Sequence, residues 1–408
     1  MEICFLNISS RKSTTGVDRY LSVLIDGLTK YDCNILFVEF VYNDTIIFSK
    51  QTQYNNCTKL TIPLPQKYSN FLNELYWMDK FFEIAIPLIT PFLKKNMIYH
   101  VNSFNLMPLA IKLKRIWGGK SISHIHFIPW KEYYEYDKRL FNKLYAQYYF
   151  SSDFEPNNFF VNPVERMFLN FSDKIICVTN SGRDYVHKFT GIPVESMELI
   201  TNGLDDKGIN TVDYEKDKNN FEILFAGRVC EGKGIFFALD ALEIVKEKGY
   251  DFTFLIAGSC EDAIKTTICN KYSKLNIKIL DNLDFVQLKK IYTTVDIGVI
   301  PSLKEQASYV AIEMAMFGIP VVCTAVDGLD EIFTDKVNAL KVPLNFSKIT
   351  GLTISVNEMA DKIASLIENK KLRGVLRNNI RRLYEEKFTL SQMVNKTIAL
   401  YESLNKNQ

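Results

Sequence analysis

The sequence predicts an α/β protein with two Rossmann-like, doubly wound parallel-sheet domains that face each other across a cleft. Short apolar runs alternate with longer helical segments in both halves of the chain. The length of 408 residues is too great for one ordinary core and suits two domains. A polar, charge-rich run at residues 206–220 separates the two series and is typical of a linker. We therefore expect one domain over residues 1–205 and a second over 206–389.

The apolar runs predict the strands of both sheets. In the N-terminal half they are Glu2–Ile8, Asn34–Phe40, Met97–Asn102, Ser121–Ile128 and Lys174–Val178. In the C-terminal half they are Phe221–Ala226, Phe252–Ala257, Ile277–Leu280, Ile297–Ile300, Val321–Thr324 and Ala339–Val342. Helical periodicity follows the first strand of each series, at residues 21–28 and 235–245, and further helices at 355–387 and 390–404 close the chain.

Composition excludes several classes of protein. A net charge of +2 argues against a nucleic-acid partner. The eight cysteines are scattered and form no C-x-x-C pair, so we expect buried thiols and neither a disulfide framework nor a zinc site. No secretion signal is visible, and the most apolar window, residues 81–93, is too short to cross a bilayer. We therefore expect a soluble cytoplasmic protein.

The segment 94–120 contains basic residues and no acidic ones. The basic residues are Lys94, Lys95, Lys112, Lys114, Arg115 and Lys120. This pattern is compatible with peripheral contact to anionic lipids on the inner membrane face or with an ordinary solvated basic surface.

Residues 299–322 predict a strand, a polar loop, a helix and a second strand, with Gly318 and Pro320 ending the helix. Glu305 falls in the loop after the strand, where open α/β sheets bind ligands, and Glu313 falls in the helix. Carboxylates accept paired hydrogen bonds and suit the vicinal hydroxyls of a sugar, while the amides between them favour an anion. The alternative is that both glutamates are solvated surface charges.

A second corner lies between Gly227 and Gly234, where an apolar strand meets a helix. Arg228 and Lys233 are five residues apart on this corner and can clamp a diphosphate from two sides without a metal. The spacing is not that of a Walker A loop.

The N-terminal half offers two further candidates. Gly16 lies in a polar loop that precedes a helix, an arrangement that can present amides to an anion or simply connect two elements. Strand alternation places His124 and His126 on one face, and His126 lies at the carboxyl end of its strand. Either histidine can instead be an ordinary core residue, and we favour His126 as the functional one.

Together these motifs resemble the retaining GT-B glycosyltransferases of the large family 4 type. The resemblance rests on the Gly227–Gly234 corner, on Glu305 and Glu313, and on the turn Asn202-Gly203-Leu204-Asp205, and it covers almost the whole chain. In that fold the last helix, here about 390–408, packs back on the N-terminal domain.

The resemblance also implies roles for individual residues. Arg228 and Lys233 would stabilise the leaving diphosphate, Glu313 would hold the ribose and Glu305 the donor sugar. His126 would orient the sugar from the opposite domain, and Gly16 would let the first loop approach phosphate or acceptor. The remaining positions expected to contact the nucleotide sugar are Gln306, Ala307, Ser308, Asn282 and Leu283. Many family members have Gly-Phe-Gly where this chain has Gln306-Ala307-Ser308, so the side chains of Gln306 and Ser308 are expected to intrude on the donor.

The expected function is therefore metal-independent transfer of a hexose from a UDP-sugar or GDP-sugar, with no cofactor. The acceptor would be a saccharide, a lipid-linked saccharide or a peptide, and the aromatic-rich segment 131–160 is either part of its site or a packing or lid segment. A sugar-nucleotide epimerase, a non-catalytic sugar-nucleotide-binding subunit and a two-lobed binding protein are the alternatives.

Overall fold

The structure is a computed structural model that describes residues 1–9, 16–42, 49–64, 71–128, 163–207, 221–281, 283–347 and 351–406. The chain divides into two compact units. Unit 1 comprises Met1–Asn202 and Leu390–Gln408, and unit 2 comprises Gly203–Thr389. The last helix therefore belongs to unit 1.

Unit 1 contains a sheet whose described strands are mostly parallel. They are β1 (Glu2–Ser9), β2 (Asn34–Val41), β3 (Lys50–Tyr54), β4 (Cys57–Pro63), β5 (Ile98–Val101), β6 (Lys120–Ile125), β7 (Lys174–Cys177) and β8 (Met197–Leu199). The described helices are α1 (Gly16–Leu28), α2 (Phe71–Ile89), α3 (Met107–Trp117), α4 (Pro163–Asn170), α5 (Asn180–Thr190) and, from the end of the chain, α13 (Leu390–Lys406).

The strand order in this sheet is β3-β4-β2-β1-β5-β6-β7-β8, and only the β3–β4 pair is antiparallel. The parallel strands are added to both sides of β1: β2 and β4 lie on one side, and β5 to β8 lie on the other. The direction in which successive strands are added therefore reverses at β1. Since parallel crossovers are right-handed, the connecting helices on the two sides of β1 cover opposite faces. The carboxyl ends of β1 and β5 therefore flank the position at which a doubly wound sheet binds ligands.

Unit 2 contains a wholly parallel sheet of six strands and a separate hairpin. Its strands are β9 (Phe221–Ala226), β10 (Phe252–Ala257), β11 (Ile277–Leu280), β12 (Ile297–Ile300), β13 (Val321–Thr324) and β14 (Leu340–Val342), and the hairpin is β15 (Leu344–Ser347) and β16 (Gly351–Ile354). Its described helices are α6 (Ile235–Glu247), α7 (Asp262–Lys271), α8 (Phe285–Tyr292), α9 (Tyr309–Met316), α10 (Asp327–Ile332), α11 (Val356–Glu368) and α12 (Lys370–Lys387).

The strand order in unit 2 is β11-β10-β9-β12-β13-β14, so the direction reverses at β9. Every residue of β10 is buried, as expected for an apolar strand that helices cover on both faces. The prediction of two Rossmann-like parallel-sheet domains is confirmed. The ligand position in this sheet lies outside the carboxyl ends of β9 and β12.

Several elements were not predicted. Strand β3 is polar and fully exposed, so it carries no apolar run, and β4 extends the same edge. The boundary between helices within the predicted helical segment 355–387 was also not predicted. It lies at Asn369, whose side chain accepts a hydrogen bond from the Leu372 amide (2.9 Å) at the start of α12.

The described residues include no helix long and apolar enough to cross a membrane. All eight cysteines are free thiols, and five of them are buried. Within the basic segment, four of the six cations form ion pairs with acidic residues of unit 1. The pairs are Lys94–Glu2, Lys112–Asp79, Lys114–Asp173 and Lys120–Asp173. Because Lys114 and Lys120 share Asp173, three carboxylates balance half of the six positive charges on this segment.

Helix α13 packs on α1, and Gly27 makes close packing possible. A methyl group added at Gly27 would lie 2.5 Å from Val394 Cγ2 and 3.2 Å from Leu390 Cδ1. The last helix therefore contributes to the core of unit 1 and is not an appendage.

We expect Gly27→Val to destabilise unit 1 by about 1–3 kcal/mol, because the larger side chain overpacks the contact with α13. Gly374→Ala is the matched control, since it changes an exposed helical glycine with open space around it. The control should stabilise its helix by up to about 1 kcal/mol. Urea denaturation of both variants tests the packing, and an unchanged midpoint for Gly27→Val would contradict it.

Candidate active site

The two sequence motifs of unit 2 follow neighbouring strands. Gly227 and Arg228 come directly after β9, and the loop that holds Glu305 comes after β12, which pairs with β9. Both motifs therefore reach the position where the strand order reverses. The structure brings together in this sheet the two motifs that the sequence placed 72 residues apart.

The corner between β9 and α6 packs against the loop after β12. The Leu303 amide donates a hydrogen bond to the Gly232 carbonyl (3.1 Å). Gly234 has φ of +68°, and a Cβ at this position would collide with the Pro301 carbonyl oxygen. Glycine is therefore required at Gly234 both for its conformation and for the approach of the two backbones.

This packing places Lys233 directly against Glu305. Lys233 Nζ lies 2.5 Å from Glu305 Oε2, and the two side chains are 31% and 13% exposed. The Ser302 hydroxyl donates a second, longer hydrogen bond to the same oxygen (3.4 Å). Glu305 is thus a half-buried carboxylate held by a cation and a hydroxyl, and it is not a freely solvated surface charge.

Arg228 occupies a different environment. Its side chain is exposed, and it forms no ion pair with the part of the chain that the structure describes. Of the two predicted clamp cations, Lys233 is therefore already engaged by a carboxylate, whereas the guanidinium of Arg228 is accessible to an anion in solution.

The loop from Glu305 to Ser308 is held from its other side by α10. The Gly328 amide donates to the Glu305 carbonyl (3.1 Å), and a Cβ on Gly328 would collide with the Gln306 carbonyl oxygen. Gln306 is buried. The Ser308 hydroxyl accepts a hydrogen bond from the Ala311 amide (3.3 Å) and caps α9. The Ser308 side chain, expected from the sequence to intrude on a donor, thus directs its oxygen to the amide of its own helix.

Glu313 is the most buried acidic residue of the motif, with 1% of its surface exposed. Its Oε2 accepts a hydrogen bond from the hydroxyl of Tyr292 (2.7 Å), which is also fully buried and stacks on Phe317. The reading of Glu313 as a solvated charge is therefore excluded. Tyr292 was not predicted, because a tyrosine at the end of a helix carries no sequence signal for a partner 21 residues away.

The other predicted positions are distributed as follows. Ala307 is partly buried within the same loop, and Leu283 is partly buried before α8. Asn282 and the segment 131–160 lie outside the described residues. Gly16 is the exposed first residue of α1 in unit 1, and a Cβ added there would have no atom of the described residues within 4 Å.

His126 belongs to a cluster of aromatic side chains in unit 1. The rings of His124 and His126 stack with centroids 4.0 Å apart and an interplanar angle of 6°. Tyr20 packs edge-on against both rings (4.6 and 4.7 Å). The prediction that the two histidines share one face is confirmed. His124 is 5% exposed and His126 is half-buried, so only His126 reaches the boundary of the core.

A chain of hydrogen bonds links the buried part of this cluster to the last helix. His100 Nδ1 lies 2.6 Å from the Tyr401 hydroxyl, and His100 Nε2 lies 3.1 Å from His124 Nδ1. The phenol satisfies both groups when it donates to His100, which then donates to His124. Burial lowers the pKa of His100 to about 3 and that of His124 well below the ordinary value of 6.5. The cluster is therefore neutral at physiological pH.

The described residues contain no group of three or more His, Cys, Asp or Glu side chains arranged to hold a metal ion. Glu231 and Lys304 are further charged residues of the loops that follow β9 and β12.

Two family models match the chain. The model "Glycosyl transferases group 1" matches residues 206–383, and the model "Glycosyltransferase Family 4" matches residues 14–207. Among curated proteins, the chain is 26% identical over 245 residues to an uncharacterized glycosyltransferase of Methanocaldococcus jannaschii, covering 57% of this chain and 60% of the relative. It is 28% identical over 213 residues to a capsular polysaccharide biosynthesis glycosyltransferase of Staphylococcus aureus, covering 50% of each. The chain thus matches 50–60% of the length of these relatives.

Solved structures resemble the whole chain. Sucrose-phosphate synthase from Thermosynechococcus elongatus matches with a TM-score of 0.76 and 17% identity over 100% of both chains. Anabaena HepE in complex with UDP-glucose matches with a TM-score of 0.66 and 16% identity over 99% of this chain and 100% of that one. At these identities the likeness shows the fold, and it agrees with the two Rossmann-like units described above.

The buried histidines predict loss of stability in acid. The folded-state pKa values of His100 and His124 are lowered by burial, so between about pH 6.5 and pH 3 the unfolded chain binds protons that the folded chain does not. The stability that the neutral imidazoles contribute to the folded state is therefore fully present above pH 6.5. It is lost as the pH falls, by about 1.4 kcal/mol per pH unit for each imidazole.

Urea denaturation between about pH 7 and pH 5 measures this slope. His100→Gln removes one imidazole and should reduce the slope of stability against pH by the amount that one imidazole contributes. Tyr401→Phe keeps both imidazoles and should lower stability without changing this slope. Equal slopes for wild type and His100→Gln would contradict the assignment.

Proposed function

Because this chain belongs to the group 1 and family 4 glycosyltransferases, we propose that it moves a hexose from a nucleotide diphosphate sugar to a hydroxyl acceptor. The reaction retains the configuration of the anomeric carbon and uses no metal ion. The observation that carries the proposal is the contact between Lys233 and Glu305 at the carboxyl ends of β9 and β12, next to the exposed Arg228.

The charges at this position suit a leaving nucleoside diphosphate. Breaking the bond between sugar and phosphate leaves negative charge on the diphosphate, and fixed cations lower the energy of that state. Lys233 is a compact charge held in place by Glu305, and Arg228 supplies an accessible planar fork that fits phosphate oxygens. These two cations can take the role that a divalent metal has in other transferases.

The carboxylates suit the hydroxyl groups of the donor. When a diphosphate attracts Lys233, Glu305 Oε2 becomes available to accept hydrogen bonds from the sugar. Glu313 presents a buried carboxylate that Tyr292 orients, and we assign it to the ribose hydroxyls. The adjoining loop Gln306-Ala307-Ser308 lies between the two acids and contributes backbone groups to the donor.

The names of the relatives support particular donor and acceptor classes. Structures of Anabaena HepE were solved with UDP and with UDP-glucose, which supports a UDP-sugar as the first donor to test and a GDP-sugar as the second. The Staphylococcus aureus relative is named for capsular polysaccharide biosynthesis, which supports a saccharide or lipid-linked saccharide acceptor over a peptide.

We expect the double variant Arg228→Ala, Lys233→Ala to lose donor turnover by about 100-fold or more, because two charges that stabilise the leaving diphosphate are removed. Lys248→Ala, which removes an exposed lysine paired with Asp361 on the surface of unit 2, is the control and should retain activity. Release of the nucleoside diphosphate is the measurement. Turnover within about threefold of wild type in the double variant would contradict the clamp.

Tyr292→Phe should weaken binding of a nucleoside diphosphate by about 3- to 10-fold, because Glu313 loses the hydrogen bond that orients it. Tyr272→Phe is the matched control, since the hydroxyl of this buried tyrosine also donates to a carboxylate, Asp240 (2.6 Å), on another pair of helices. Titration calorimetry compares the two variants, and an equal loss of affinity in both would rule out a specific role for Tyr292.

A further inference from the structure

We propose that Asn102 is a positioning residue that holds His126 in one tautomer, with the proton on Nε2, so that Nδ1 accepts a hydrogen bond from a sugar hydroxyl. This inference rests on the proposed function, because the hydroxyl belongs to a sugar substrate of that reaction. Asn102 follows β5 and His126 follows β6, so both lie at carboxyl ends of neighbouring strands in unit 1.

The orientation of the Asn102 amide fixes the direction of the hydrogen bond. Asn102 Nδ2 donates to the His100 carbonyl oxygen (3.4 Å), which can only accept. The other end of the amide, the oxygen Oδ1, therefore faces His126 and lies 3.0 Å from Nε2. An amide oxygen only accepts, so His126 Nε2 carries the proton.

The surroundings of His126 keep the imidazole neutral. His126 stacks on His124 and packs against Tyr20, and it lies beside aromatic groups that cannot stabilise a positive charge by ion pairing. Burial accordingly lowers the pKa of His126 below 6.5. A neutral imidazole with a proton on Nε2 has an unprotonated Nδ1, which is a hydrogen-bond acceptor.

Nδ1 is available to a ligand. His126 is half-buried, and its Nδ1 has no hydrogen-bond partner within the part of the chain that the structure describes. A lone pair at this position attracts a hydroxyl and repels a phosphate oxygen. The geometry thus assigns His126 to recognition of a sugar hydroxyl and not of a phosphate group.

His187 provides an internal reference. It lies in α5 of the same unit, and its Nδ1 is 2.7 Å from the Ile192 carbonyl oxygen. Because a carbonyl only accepts, His187 carries its proton on Nδ1, the opposite arrangement to that inferred for His126. The chain has only four histidines, so their ring nitrogens can be assigned by substitution.

The first experiment is nitrogen-15 NMR of histidine-labelled full-length protein at neutral pH. We expect the Nε2-protonated pattern for His126 and the Nδ1-protonated pattern for His187, with His187→Gln and His126→Gln used to assign the signals. A doubly protonated or Nδ1-protonated His126 would overturn the proposal. This readout requires no substrate, so it stands even if the transferase assay fails.

The second experiment compares Asn102→Leu and Asn102→Asp in donor turnover. Asn102→Leu frees the tautomer and should lower kcat/KM by about tenfold at every pH, the effect of one neutral hydrogen bond. Asn102→Asp places a carboxylate on Nε2 and raises the pKa of His126, so its activity should fall in mild acid and recover as the pH rises.

A purely structural role for Asn102 would lower activity in both variants without a new ionisation. An Asn102→Asp pH profile that parallels wild type would therefore overturn the proposal. If wild type turns over no nucleotide sugar while the NMR shows the expected tautomer, the proposed function fails and the tautomer assignment stands.

Discussion

One contact in unit 2, the ion pair between Lys233 and Glu305, depends on the close approach of two loops. It joins two motifs that follow adjacent strands, and it exists because the backbones of the two loops approach closely enough for a lysine and a glutamate to meet at 2.5 Å. A half-buried pair of this kind has a modest net effect on stability, because desolvation offsets much of the attraction. Its value lies in the position of the two charges: a diphosphate can replace the carboxylate as the partner of the lysine.

Two glycines make that approach possible. Gly234 lies against the Pro301 carbonyl and Gly328 lies against the Gln306 carbonyl, so the loop that holds Glu305 is enclosed between two backbones that leave no space for a side chain. The hydrogen bonds from Leu303 to Gly232 and from Gly328 to Glu305 fix the same loop. The carboxylate is thus held by main-chain packing, a more rigid support than contacts between flexible side chains.

The strands of unit 2 could be read from the sequence because each is a short apolar run buried on both faces. Strand β3 could not, since its polar, exposed residues resemble a loop until they pair with β4. Glu305, Glu313, Arg228 and Lys233 were identifiable from their spacing, but the burial of Glu313 depends on Tyr292, a tertiary contact that no local pattern encodes.

In unit 1, too, the partners of the predicted side chains could not be read from a local sequence pattern. Alternation along β6 placed His124 and His126 on one face, yet the amide that contacts His126 belongs to Asn102, which follows β5. The phenol that contacts His100 belongs to Tyr401, 301 residues further along the chain than His100. The tautomer of a histidine is decided by such partners, so it follows from the fold and not from the motif. The residues of each motif were therefore identifiable from the sequence, whereas the contacts and orientation of their side chains required the structure.

A crystal structure with a bound nucleoside diphosphate tests the central claim most directly. The account predicts that Lys233 Nζ leaves Glu305 Oε2 and lies within hydrogen-bond distance of a phosphate oxygen, with Arg228 on the same diphosphate and Glu313 at the ribose. A nucleotide bound elsewhere, with the Lys233–Glu305 pair intact, would contradict it.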